Sequence, residues 1–167
     1  MSELTIVAGV ASVIVLCLTV VGIYLWRTLA QEEQRRVVTV FYMGIPFRFT
    51  YWHGIDESKL KERLLLALGA LSAVWSTTNM YALLDGVHIN VMPSTTWSDS
   101  FTGRTIAGQS LPSGKTVVVG SDYAALAHEL AHVIEAGPGR LGFEDHASWA
   151  RNGIQAAVDK YEGQLKR

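Results

Sequence analysis

The chain has 167 residues, with 14 Lys and Arg against 15 Asp and Glu for a net charge of −1. From Val37 onward the balance is 11 basic to 12 acidic residues with no basic block, which excludes a nucleic-acid footprint. The single cysteine, Cys17, lies in an N-terminal apolar run, so the rest of the chain has no disulfide and no thiolate, and a metal there must be held by His, Asp or Glu.

Leu4 to Trp26 carries no charged residue. At a helical rise of about 1.5 Å per residue, such a run matches a hydrocarbon core of about 30 Å. Tyr24 and Trp26 stand at its end, where interfacial aromatics favour the headgroup level. There is no basic stretch before it and no small-x-small site before Arg27, so a retained transmembrane anchor is expected rather than a cleaved signal peptide. Glu3 precedes the run and Arg27, Arg35 and Arg36 follow it, a bias that favours a single-pass protein with its domain on the cytoplasmic side. The expected organisation is an anchor over 1–26, a juxtamembrane stalk over 27–36, and one α+β domain over 37–167.

Within the domain, "VVTVFYM" and "FRFTYW" flank "GIP" and predict a hairpin. Asp56 is placed to cap a helix on which Leu60, Leu64, Leu68, Leu71 and Trp75 recur at helical spacing. "VHINVM" (87–92) alternates as a half-buried strand does. Residues 93–114, rich in Ser, Thr, Gly and Pro, predict a long loop or loose hairpin. "KTVVVG" (115–120) predicts a strand, and 121–137 a helix capped by Ser121 or Asp122 and stopped by Gly137 and Pro138. A final helix follows, with Ile154, Val158, Tyr161 and Leu165 as its apolar stripe and Gly153 as a weak point. Most of Trp52, Trp75, Trp97 and Trp149 are expected in the core.

The chemistry is concentrated in "HELAH" (128–132). On a helix, Leu126, Leu130, Val133 and Ile134 share one arc, and His128 and His132 share the opposite side about one turn apart. Ala124, Ala125 and Ala131 around them leave space. Imidazoles at i and i+4 can converge on one tetrahedral ion at about 2.0–2.1 Å from each nitrogen. Glu129 then stands beside the ion as a general base without being a ligand. A catalytic zinc site needs a third protein ligand and an open position. Downstream, "GRLGFEDHASW" offers His146, with Glu144 or Asp145 as the competing donors or as partners of its ring.

HELAH, a glycine-containing turn and "DHASW" together resemble the small zincin metallopeptidases, and the tail is most similar to their SprT-like and WLM groups. The resemblance covers residues 115–150. It implies zinc bound by His128, His132 and His146, Glu129 as general base, and Trp149 as a packing aromatic. It also implies a peptide substrate added to a sheet edge, with "KTVVVG" as the edge strand. The metzincin pattern fails because Pro138 stands where its third histidine would be.

Other candidates carry bland readings. His53 and His88 are candidates for oxyanion stabilisation but read more simply as a turn histidine and a solvent-side strand residue. Arg140 reads as an exposed turn arginine. "SGKT" lacks the upstream glycine of a phosphate-binding loop, since Gln109 stands there, and Ser110 and Ser113 have no nucleophile-elbow context. The expected function is a membrane-anchored zinc metalloendopeptidase acting on a peptide or protein near the bilayer. The alternative is a non-enzymatic membrane-anchored assembly or scaffold protein with a zincin-like fold, and a third class is metal-dependent cutting of cell-wall peptide.

Overall fold

The computed structural model describes residues 3–100, 102–111, 115–136 and 146–166, except for the side chains of 3–13, 29 and 31–33. It divides into two compact units, Met1–Arg35 and Arg36–Arg167.

The first unit is a single helix, α1 (Glu3–Glu33). The expected transmembrane anchor and single-pass membrane placement are corrected here: among the described residues, no helix is long and apolar enough to cross a membrane. The cytoplasmic placement of the domain falls with the anchor.

The second unit is α+β. A five-stranded sheet runs in the order β1-β2-β3-β7-β6, and a two-stranded ribbon pairs β4 with β5. β1 (Arg35–Tyr42) and β2 (Ile45–Trp52) are joined through Met43 and Gly44, with φ of 49° and 84°. Two consecutive positive φ angles give the tight reversal whose twist suits a hairpin. Pro46 therefore lies in β2 rather than in the turn, ahead of the pairing with β3, which starts at Arg48.

β2, β3 (His88–Val91) and β7 (Thr116–Val119) are mutually parallel. Their register aligns Phe49, Ile89 and Val117 in one row, and all three are fully buried. The neighbouring row of Arg48, His88 and Thr116 faces the other way. β6 (Gly108–Ser110) pairs antiparallel with β7 and ends the sheet. β7 is thus an interior strand, and the edge falls on β6. A three-residue Gly-Gln-Ser strand has no β-branched or aromatic residue to announce it. The predicted loop over 93–114 also contains β4 (Trp97–Ser98) and β5 (Thr105–Ile106).

Helices cover the inner face of the sheet. α2 (Glu57–Leu71) starts where expected, since the Asp56 carboxylate accepts from Ser58 N at 3.0 Å. It stops before Trp75, because Ser72 Oγ donates back to Gly69 O and the bonds of Ala73 N and Val74 N tighten to i→i−3. A separate α3 (Thr77–Leu84) follows. α4 (Leu126–Ala136) packs against β6, β7, α2, α3 and α6. It begins later than predicted, because Tyr123 adopts a φ of 61°, which no α-helix tolerates, and Asp122 instead accepts from Ala124 N in a local turn.

The C-terminal helix is broken into a 3₁₀ turn (His146–Ser148), α5 (Trp149–Asn152) and α6 (Ile154–Leu165). Gly153, at φ 77°, makes the break. The buried Tyr161 hydroxyl donates to Tyr123 O at 2.8 Å and ties α6 to the segment that starts α4. Of the four tryptophans of the domain only Trp149 is fully buried; Trp52, Trp75 and Trp97 are half-buried.

Candidate metal centre

α4 presents His128 and His132 one turn apart, and the 3₁₀ turn delivers His146 from the other side. His132 Nε2 lies 3.1 Å from His128 Nε2 and 3.1 Å from His146 Nε2. One nitrogen from each of the three rings falls within 4.8 Å of the other two. Two metal bonds of about 2.0–2.1 Å at a near-tetrahedral angle hold their nitrogens about 3.1–3.4 Å apart, so the three rings fit one small ion. Among the described residues this is the group able to hold a metal. Glu144, Asp145 and Arg140 lie outside the described residues, as do Ser113, Gly137 and Pro138.

Trp149 forms the floor. Its ring centroid is 4.9, 4.6 and 4.7 Å from those of His128, His132 and His146. Its Nε1 donates to Glu135 Oε2 at 2.6 Å, linking α5 to the last turn of α4. Burial, and then the charges of His128 and His146, push the His132 pKa down to about 4. His132 is therefore neutral at pH 7, as a metal ligand must be.

Glu129 is only 4% exposed. Ser110 Oγ on β6 donates to its Oε2 at 2.9 Å. Gly108 closes the approach: a Cβ there would stand 2.6 Å from Glu129 Oε1 and 2.8 Å from its Cγ, and would strike Ala125. Only glycine lets the β6 backbone lie against this carboxylate. The edge strand thus clamps Glu129 beside the three rings.

A cleft of about 370 Å³ opens along this edge. Its walls are Ile106, Ala107 and Gly108 on one side, Ala124 and Ala125 of the turn before α4 with His128 and Glu129 of α4 on another, and Glu162 of α6. Ala131, in contrast, is buried in the core and leaves no space near the histidines.

The remaining sequence candidates sit elsewhere. His53 is exposed in the turn after β2, in a different cleft with Asp56, Lys59 and Tyr123. His88 Nε2 lies 2.7 Å from Thr50 Oγ1 on the outward sheet face, and burial followed by the Arg48 charge lowers its pKa. Neither joins the histidine cluster. Nothing local in the sequence marks Ser110, Glu135 or Glu162 as site residues; Ser110 stands 19 residues from Glu129 along the chain.

Comparisons with protein-family models, curated proteins and solved structures return no match.

Proposed function

We propose that the chain is a zinc-dependent metallopeptidase. The observation that carries this reading is the convergence of His128, His132 and His146 beside a buried glutamate that an edge strand holds in place. A buried carboxylate lining the same cleft as one of these histidines is the kind of titratable group that gathers at functional sites.

His128, His132 and His146 are the residues that would hold zinc. The chemistry zinc supplies when bound is Lewis acidity toward a water and toward a carbonyl oxygen. Glu129 takes the proton of the attacking water and delivers a proton to the leaving amine. Ser110 fixes the plane of the Glu129 carboxylate through Oε2. An extended peptide adds to β6, the last strand of the sheet, so that main-chain hydrogen bonds bring its carbonyl to the histidines.

The test is Glu129→Gln in the full chain loaded with zinc, with fluorescein-labelled casein as substrate and elemental analysis of the purified protein. Zinc content is expected to stay at the wild-type level, and hydrolysis to fall by about 10²–10⁴, the contribution of a general base. Wild-type hydrolysis in the Gln variant would overturn the reading. A zinc-loaded wild-type chain that cuts nothing would leave a metal-braced scaffold as the better description.

A further inference from the structure

We infer that Glu162 makes the cleft beside the histidines selective for a substrate carrying a basic side chain, Lys or Arg, close to the bond that is cut. This rests on the peptidase reading and names its substrate class.

Three observations carry it. First, the cleft is lined by small or apolar residues except at His128, Glu129 and Glu162. Ala124 and Ala125, in the turn that leads into α4, line the cleft with methyl groups only and leave that space open for a substrate side chain. At about 370 Å³ it lies in the range of sites for small ligands, about 300–1,000 Å³, and accepts one long side chain.

Second, the two carboxylates on the cleft wall face no basic side chain. Glu129 is engaged by Ser110, and Glu162 is the other carboxylate on the wall. Among the described residues that line the cleft there is no Lys or Arg. Glu162 is exposed and makes no hydrogen bond or ion pair with a described residue, so its carboxylate is available to an incoming cation. A bidentate guanidinium or a lysine ammonium is the complementary group.

Third, the backbone that carries Glu162 is held in place. The residue before it, Tyr161, is fully buried, and its hydroxyl bond to Tyr123 O pins this turn of α6 to the segment leading into α4. A charge on a rigid element selects, whereas one on a loose loop only attracts.

The experiment digests a mixed-sequence peptide library with the zinc-loaded full chain and reads the cut sites by mass spectrometry, for wild type, Glu162→Gln and Glu162→Lys. Glu162 is exposed, so neither change disturbs the core. The expected result is enrichment of Lys and Arg at one position within a few residues of the cut. In matched peptides, a basic residue there is expected to raise kcat/KM by about tenfold over Glu, and the preference to shrink with added salt. Glu162→Gln should lose the preference, and Glu162→Lys should reverse it toward Asp and Glu. Cutting without basic enrichment, or with an enrichment that Glu162→Lys leaves unchanged, overturns the role of Glu162 and spares the peptidase reading. A zinc-loaded wild type that cuts no peptide overturns both.

Discussion

Leu126, Leu130, Val133 and Ile134 on one side of α4 are 0–4% exposed, whereas His128 and His132 on the other are half-buried. The first set is held by area removed from water, non-directional and worth about 1.5–3 kcal/mol for each large side chain. The second is held by a few directional contacts from distant segments: Ser110 on Glu129, Trp149 on Glu135, and the approach of His146. The core face sets where the helix lies. The contacts on the other face set where three nitrogens and one carboxylate point.

The widest separation of the two faces comes from comparing Leu130→Ala with His132→Ala. Leu130 is fully buried, and truncating such a leucine costs about 2–5 kcal/mol through lost burial and the cavity left behind. Urea unfolding of the metal-free protein should show this loss, and zinc should still stabilise what folds. His132→Ala should leave the metal-free unfolding midpoint near wild type and abolish stabilisation by zinc. For the wild type that stabilisation is about 2.7 kcal/mol at a hundredfold excess of zinc over Kd. Equal losses from both variants, with and without zinc, would erase the distinction.

The same contrast explains what could be read from the chain alone. The i, i+4 histidines and the intervening glutamate are a local pattern, and so is the aliphatic arc opposite them. Asp56 as a cap and the alternation in 87–92 are local too. What escaped depends on contacts far apart in sequence. β6 is three residues of Gly-Gln-Ser, defined by its pairing with β7 and its closeness to Glu129 rather than by propensity. Without it, "KTVVVG" looks like an edge. The late start of α4 follows from the positive φ of Tyr123, a residue type that gives no warning of it. The apolar run at 4–26 is legible as composition only, and among the described residues no helix is long and apolar enough to cross a membrane.

A finer probe of the polar face is Trp149→Phe. Phenylalanine keeps an aromatic floor under the three rings but removes the indole N–H that binds Glu135. Glu135 is exposed and can turn to water, so the expected loss of stability is only about 0.5–1.5 kcal/mol. Zinc affinity should drop more visibly, about tenfold, because the tie between α5 and α4 holds His146 in reach and such outer contacts tune ligands by about 10–100-fold. Competition for zinc with a chromophoric chelator measures it. Unchanged affinity would mean that packing alone positions His146.

The smallest expected effect is a pH dependence carried by His132. Its pKa is pushed from the ordinary 6.5 down to about 4, first by burial and then by His128 and His146. In the unfolded chain the ring takes a proton as pH falls through about 6.5, while the folded chain resists until about 4. Between those values the unfolded state binds more protons, so stability rises with pH across the window. The contribution is complete above pH 6.5 and declines on acidification toward pH 4. The ring is only partly buried, so solvent screening reduces the effect to about 1 kcal/mol. Urea midpoints of the metal-free protein at pH 7.5, 5.5 and 4.5 measure it, with His132→Gln as the control that lacks the titrating ring. Carboxylates add their own slope at the acid end in both proteins, and the difference between wild type and variant isolates the imidazole. The core face contributes nothing to this difference, because none of its side chains titrates. Parallel curves for the two proteins would mean that His132 is not held neutral by its surroundings, and that its face of the helix is more open to water than its contacts with His128, His146 and Trp149 imply.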